Sequence, residues 1–343
     1  ASLALLGALT ACGGGGNQTA SDTATSPAAV LQVQAMPSAI ESSTTASPVA
    51  AKAVDLTDAI AILKMIVGLD VNTGGAPLTA YQAYAADVDG NGRPDVFTTN
   101  FSSDVNTLHL NLDGRNFDDR TNQFGLGAPS RPLVGWGAGF YDFDHDGDED
   151  LLVVNGHVYP QATKASMDSE YAQRPLLMER RGARFVPLAE AGAWKLEPHV
   201  DRTVVFADFD LDGDIDFIIA GLYEPLRVVR NDHCARTEVA GATSCDDWLV
   251  VLPRDTRPGV GNRNAIGAEI RVTCDGKTQR RWIVGSGPFQ SNVAPEAHFG
   301  LGNKALEAGT GQIDVEVIFP DGTTITKKAV ARGSRVVIDR ANS

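Results

Sequence analysis

Carboxylates at every second position of a short loop are the residues of this chain best suited to chemistry. One cluster places five aspartates around a glycine bend, at Asp142, Asp144, Asp146, Asp148 and Asp150. Like charges at this density repel each other unless a cation neutralises them. Oxygen ligands at alternating positions suit a hard cation, and Ca²⁺ fits better than Mg²⁺ because Mg²⁺ demands stricter octahedral geometry. The spacing therefore predicts a calcium loop.

Two further stretches repeat this pattern. The third copy in the chain has aspartate at all five positions: Asp208, Asp210, Asp212, Asp214 and Asp216. The first copy is more divergent: Asp87, Asp89, Asn91, Arg93 and Asp95. A glycosidase would use paired carboxylates as acid and base, and its acid needs a raised pKa. Carboxylates that hold a metal have a lowered proton affinity, so we expect structural calcium rather than catalysis.

Short apolar runs surround each loop and must position it. A β-type run follows each of the three, at 96–100, 151–155 and 217–220, and further runs lie at 107–111, 174–179, 185–188 and 226–231. About four short strands in each unit are typical of a propeller blade. The pattern predicts a mainly β protein with three blades over 87–232. Because propellers close with about four to eight blades, we expect a partial or shortened propeller, or edges covered by other segments or a partner.

The negative charge of the chain argues against anionic partners. The formal net charge is −14 over 343 residues, and the acidic excess lies before residue 246, where the aspartate loops are. Nucleic acid and anionic membrane surfaces repel such a chain, so neither is an expected partner. Metal binding accounts for the acidic residues better than a general cationic partner does.

The first fifty residues have the composition of targeting and linker segments. Residues 1–11 resemble the end of a signal peptide, and Leu9-Thr-Ala-Cys12 resembles a bacterial lipobox. That resemblance implies a lipid on Cys12 and an outer-membrane or cell-surface location; the alternative is an ordinary secretory signal with an incidental cysteine. Residues 12–50 are rich in Gly, Ser, Thr and Ala and predict a flexible linker.

Residues 51–86 predict a helical segment. Leu56, Ile60, Leu63 and Val67 recur at helical spacing. A helix ahead of the Asp87 loop resembles part of a dockerin, which implies a cohesin-like partner. The alternative is a helix that packs on the neighbouring domain.

The loops and their flanks resemble known families. A D-x-D-x-(D/N)-G-x-x-D loop between short strands resembles the FG-GAP/VCBS repeats of integrin-type β-propellers. Residues 135–147 and 154–160 resemble bacterial relatives of cartilage acidic protein, and residues 246–341 resemble their ASPIC/UnbV domain. The matching stretches of that domain are 248–252, 262–272, 285–287, 298–302 and 317–322. The resemblance implies that loop positions 1, 3, 5 and 9 supply side-chain oxygens, whereas position 7 (Arg93, Asp148 or Asp214) supplies only its backbone carbonyl.

Cysteine and histidine suggest structural roles. Cys234 and Cys245 bracket a polar loop of ten residues, and in an exported protein they predict a disulfide. We expect the six histidines, including His157 and His298, to hydrogen-bond turns. The motifs G-x-S-x-G, H-E-x-x-H and the P-loop do not occur in the sequence.

These observations predict a calcium-binding, exported scaffold or adhesion protein that binds a protein or glycan ligand without catalysis. One alternative is an accessory protein of polysaccharide binding or degradation. Another is a propeller-type enzyme that acts on polysaccharide. No catalytic residue is assigned, and Ca²⁺ is the expected cofactor.

Overall fold

The computed structural model describes residues 33–35, 86–163, 169–192, 194–234, 247–274, 276–285, 287–302 and 312–342. Eighteen strands and one short helix (α1, Gly127–Ser130) account for most regular structure in these ranges, and 3₁₀ turns lie at Pro160–Thr163 and Arg340–Asn342. The strands of the first part are β1 (Val33–Ala35), β2 (Val96–Thr98), β3 (Thr107–Asn111), β4 (Phe117–Asp119), β5 (Gly135–Tyr141), β6 (Asp150–Asn155), β7 (Leu176–Arg181), β8 (Arg184–Pro187), β9 (Asp201–Ala207), β10 (Asp216–Gly221) and β11 (Arg227–Val229). The second part contains β12 (Trp248–Arg254), β13 (Glu269–Cys274), β14 (Lys277–Trp282), β15 (Ala297–Gly300), β16 (Ile313–Ile318), β17 (Thr324–Val330) and β18 (Ser334–Asp339).

Three antiparallel sheets form the first part. Their strand orders are β2-β3-β4, β5-β6-β7-β8 and β1-β11-β10-β9. The runs predicted after each aspartate loop are strands β2, β6 and β10, and the other predicted runs correspond to β3, β7, β8 and β11. The loops Asp142–Asp150 and Asp208–Asp216 each join two neighbouring antiparallel strands, β5 to β6 and β9 to β10, so the loop turn and the strand pairing position one another.

Strand β6 lies at the centre of this part. All six of its residues are buried, which explains why its sequence is a continuous apolar run rather than an alternating one. Successive side chains of a strand point to opposite faces. Leu151 and Val153 pack with β3 and β7, whereas Leu152 and Val154 pack with β9 and β10. One strand therefore supports the cores on both sides of its sheet.

The described residues form several open sheets, and these do not join into a closed ring. The mainly β fold is confirmed, whereas a propeller remains a prediction. The helical segment expected at 51–86 lies outside the described residues apart from Ala86, which is not in a helix. Within the described part of the chain, no helix is long and apolar enough to cross a bilayer.

Strand β1 corrects one detail of the predicted linker. It lies inside the stretch 12–50 and pairs antiparallel with β11, with Val33 opposite Val229 and Ala35 opposite Arg227. The edge of β11 would otherwise present unpaired N–H and C=O groups. This pairing makes three residues of the predicted linker the fourth strand of a sheet.

The second part is a two-sheet sandwich. One sheet has the order β15-β12-β18 and contains a parallel pair, β12 and β18; the other is antiparallel, with the order β14-β13-β16-β17. Their facing side chains form a single core that includes Leu249, Ile270, Phe299 and Val317. The other face of β12 is also buried, because Trp248 and Val250 pack with Cys234 from the first part.

Candidate metal centres

The three aspartate loops share one backbone conformation. The fourth and sixth positions of each loop have positive φ angles, which are rare for residues other than glycine. The sixth is glycine in every loop, with φ of 84°, 90° and 100° at Gly92, Gly147 and Gly213. The fourth is glycine only in the first loop; His145 (57°) and Leu211 (66°) adopt the same strained region in the others. The same turn has therefore formed around three different sequences.

The loops also share their hydrogen bonds. The carboxylate at the first position accepts a bond from the glycine N–H at the sixth, at 2.8 Å for Asp87, 2.8 Å for Asp142 and 3.3 Å for Asp208. The ninth carboxylate accepts one bond from the second residue of the loop and another from a neighbouring strand or loop segment. For Asp216 these donors are the N–H groups of Phe209 (3.0 Å) and Asn231 (2.8 Å). Asp95 and Asp150 repeat this arrangement.

Three carboxylates converge in each loop, with one oxygen from each within 4.8 Å of the others. The sets are Asp87, Asp89 and Asp95; Asp142, Asp144 and Asp146; and Asp208, Asp210 and Asp216. Asp87 Oδ1 and Asp208 Oδ1 are buried without a hydrogen-bond partner. Buried oxygens that lack donors and converge within a turn are the donor set that Ca²⁺ prefers, so the residues present fit this ion.

Burial controls the proton affinity of these carboxylates. It raises the pKa of Asp95 to about 7, of Asp150 to about 8 and of Asp216 to about 7, although backbone N–H groups oppose the shift. Burial and the neighbouring aspartates also raise the pKa of Asp142 well above its ordinary value. These shifts express first the cost of burying a negative charge and second the repulsion between neighbouring aspartates, both of which a bound cation would offset.

The seventh positions do not take part in the carboxylate clusters. Asp148 is exposed and lies 3.4 Å from Lys277 Nζ. The Asp214 side chain is buried and accepts a hydrogen bond from the N–H of Cys234 at 2.8 Å. Neither side chain is among the converging carboxylates, in keeping with the carbonyl role that the family resemblance implies for this position.

The second part of the chain packs directly on the loops, which the sequence did not indicate. Its His298-Phe-Gly-Leu-Gly302 stretch contacts two of them: Gly302 N donates to His145 O at 2.8 Å, and His298 Nε2 lies 2.7 Å from Gly213 O. Gly300 lies so close to Asp142 that a Cβ atom would overlap its carboxylate. His298 therefore does bond to a turn, as expected, but the turn belongs to the first part of the chain.

Basic side chains of this part face the loop carboxylates. Arg335 Nη1 lies 3.1 Å from Asp208 Oδ2, and Arg281 Nε lies 2.9 Å from Glu149 Oε1. Lys277 and Arg280 donate to backbone carbonyls of the loops, at Gly147 O and Gly92 O, both at 3.1 Å. The first two pairs are largely buried, so they compensate acid in places that solvent reaches poorly.

A cavity of about 540 Å³ lies between the two parts. Its walls include Trp136, Phe140 and Tyr141 from β5, together with Trp282, Phe289 and Val293 from the second part. The buried Arg281–Glu149 pair contributes its polar groups. A space of this size is sufficient for a small ligand.

Two predicted modifications fall partly or wholly outside the described residues. Cys234 is disulfide-bonded. Its predicted partner Cys245 and the predicted lipid attachment at Cys12 lie beyond the described ranges, so the pairing and the lipid stay predictions. Cys274 lies in β13, with its Sγ atom 3.6 Å from Arg332 Nη1.

Two family profiles match parts of the chain. Residues 73–153 match the family profile of the FG-GAP-like repeat, and residues 259–343 match that of ASPIC and UnbV. The first match contains two of the aspartate loops, and the second contains most of the sandwich.

The chain is also similar to the full-length proteins that carry the name cartilage acidic protein 1. It is 26% identical to the Mus musculus protein over 262 residues, which cover 74% of this chain and 36% of that protein. It is 25% identical to the Homo sapiens protein over 262 residues, covering 74% and 35%, and the Xenopus tropicalis protein is similar at 25%. The chain spans about a third of the length of these relatives.

Proposed function

We propose that this chain is a calcium-stabilised interaction protein that acts outside the cell or on its surface and performs no catalysis. The observation that supports calcium binding is that one turn with converging carboxylates occurs three times in the chain. The matches to FG-GAP-like and ASPIC and UnbV sequences support an adhesion-type role. Calcium would clamp each turn, hold the strands that leave it and steady the sandwich that rests on the loops.

A calcium titration tests the structural part of this proposal. We expect three calcium ions per chain, a melting temperature that falls on addition of a chelator, and two ions after Asp144→Ala. Asp148→Ala is the matched control, because this neighbouring carboxylate lies outside the cluster; it should retain all three ions. If the chelator leaves the melting curve of the unmodified protein unchanged, calcium has no structural role.

Carbohydrate binding is a second candidate function. The rings of Phe101 and Tyr159 are 47% and 56% exposed, and both contact the ring of the buried His157. Exposed aromatic rings beside a fixed polar group are suited to the apolar faces of sugars. Under this candidate, the chain would be an accessory protein of polysaccharide binding or degradation. The cohesin-like partner predicted for residues 51–86 would then attach it to other proteins with the same role.

A polysaccharide panel separates the two candidates. Affinity electrophoresis should show retardation that Tyr159→Ala removes. Tyr223→Ala is the control, because Tyr223 is almost fully exposed and its ring does not contact His157. Release of reducing sugar from the same panel would favour the propeller-type enzyme instead. If the panel shows neither retardation nor release, a protein partner is the favoured ligand.

A further inference from the structure

A second type of donor set lies beside the aspartate loops. His145 of the second loop, His233 after β11 and Asp247 before β12 each present one donor atom within 4.8 Å of the other two. The side chains of His145, His233 and Asp247 are 0%, 20% and 5% exposed. From this convergence we infer that the chain has a transition-metal site, separate from the calcium loops, at which two imidazoles and one carboxylate hold Zn²⁺.

The separations suit a tetrahedral ion. His145 Nδ1 lies 3.1 Å from Asp247 Oδ1, and His233 Nε2 lies 4.0 Å from Asp247 Oδ2. Zinc bonds to nitrogen and oxygen of roughly 2.0–2.2 Å place neighbouring tetrahedral ligands about 3.4 Å apart. The two observed separations lie on either side of this value and end on different oxygens of Asp247. The carboxylate and the ring of His233 would therefore reorient when all three donors bind one ion. A water molecule would take the fourth position.

The other nitrogen of His145 provides an independent observation. His145 Nε2 lies 3.6 Å from Asp214 Oδ1; both atoms are buried and have no hydrogen-bond partner. In a neutral ring, an Nδ1–H group that donates to Asp247 leaves the lone pair of Nε2 facing a carboxylate oxygen, which is unfavourable. A metal on Nδ1 requires the proton on Nε2, directed at Asp214. Carboxylate, histidine and metal in this order are the usual arrangement around a ligating imidazole.

The alternative position for the ion is on the Nε2 side. On that side, the three groups with converging donor atoms are His145, Asp214 and Cys234. Cys234 is disulfide-bonded and therefore cannot supply a thiolate. The Nδ1 side has three competent donors, and it leaves the Asp214 carboxylate to orient the ring.

The chemistry of the donors separates this site from the calcium loops. Two imidazole nitrogens suit Zn²⁺ and related ions, whereas Ca²⁺ takes oxygen ligands. The ligands come from the second loop and from both sides of residues 235–246. The ion would therefore link the first part of the chain to the residue that precedes β12, the first strand of the sandwich.

The test uses the full chain saturated with calcium, so that the aspartate loops are occupied. After zinc loading and gel filtration, elemental analysis should give one zinc per chain, and cobalt loading should give the visible absorption of a tetrahedral Co²⁺ site. His233→Gln, a change near the surface, should abolish both signals. His199→Gln is the matched control, since His199 Nδ1 lies 2.6 Å from Glu224 Oε2, away from the cluster, and it should retain them.

Zinc should also raise the melting temperature of the unmodified protein, and His233→Gln should remove this shift. Lack of zinc retention by the folded, calcium-loaded protein would overturn the inference and leave His145 and Asp247 as an ordinary ion pair. Retention that survives His233→Gln would overturn the assignment equally. Both outcomes are independent of the calcium stoichiometry, so failure here is distinguishable from failure of the proposed function.

Discussion

At the scale of single residues, the seventh position of the loops shows how one motif serves several purposes. Arg93, Asp148 and Asp214 occupy equivalent backbone sites, yet their side chains differ in surroundings. Asp148 points to solvent, whereas Asp214 is buried beside His145. Because the calcium role expected at this position needs only the carbonyl group, the side chain is free to serve the neighbouring part of the chain.

Gly213 is constrained by conformation and by contact. Its φ of 100° favours glycine, and a methyl group there would overlap the indole of Trp248. Gly213→Ala should lose roughly 1–2 kcal/mol from the left-handed backbone and about 1–3 kcal/mol more from overpacking. Chemical denaturation in calcium measures the sum.

Gly114 is the control for this substitution. It has a φ of 87° and open space around it. Gly114→Ala should therefore show only the backbone cost, roughly 1–2 kcal/mol. Equal losses for the two variants would mean that Trp248 does not pack on the loop.

At the scale of elements, strand β14 brings basic side chains to the aspartate loops. Lys277, Arg280 and Arg281 all contact loop residues, although the strand belongs to the sandwich. Burial raises the pKa of Glu149 to about 7, and Arg281 beside it opposes that shift. The guanidinium also lies over the ring of Phe299, 5.2 Å from its centroid.

Two ion pairs from this strand should differ sharply in their contribution to stability. Arg281→Ala leaves Glu149 buried without its partner and should cost about 3–5 kcal/mol. Lys277→Ala removes an exposed pair and should cost about 1 kcal/mol or less. Equilibrium denaturation of both variants in calcium measures the difference. A small loss for Arg281→Ala would mean that solvent reaches Glu149.

At the scale of the whole molecule, the sandwich rests on all three loops, and the two parts should unfold together. Gly300→Ala would place a methyl group against Asp142 and should loosen this contact. We expect one calorimetric transition for the unmodified protein in calcium and two for the variant. Gly261→Ala, in the same part with open space around it, should keep one transition. Two transitions in the unmodified protein would show that the parts are not coupled.

Local patterns were sufficient for the loops and for most strands of the first part. These patterns consist of alternating carboxylates, a glycine bend and a following apolar run. Each involves only residues that are neighbours along the chain, so the sequence shows it directly. The short strand β1 was missed because its pairing with β11 depends on residues about two hundred positions away, and its own composition is that of a linker.

The packing of the sandwich on the loops was not predictable in the same way. His145 and Asp247 are 102 residues apart, and His298 bonds to a loop 85 residues before it. Each looked like an isolated histidine or aspartate, because nothing local indicates which distant backbone will come near. The chain thus encodes its acidic turns through short-range spacing. The contacts of those turns with histidines and arginines depend on how the two parts pack against each other. Residues so far apart in the sequence become neighbours only when both parts have folded.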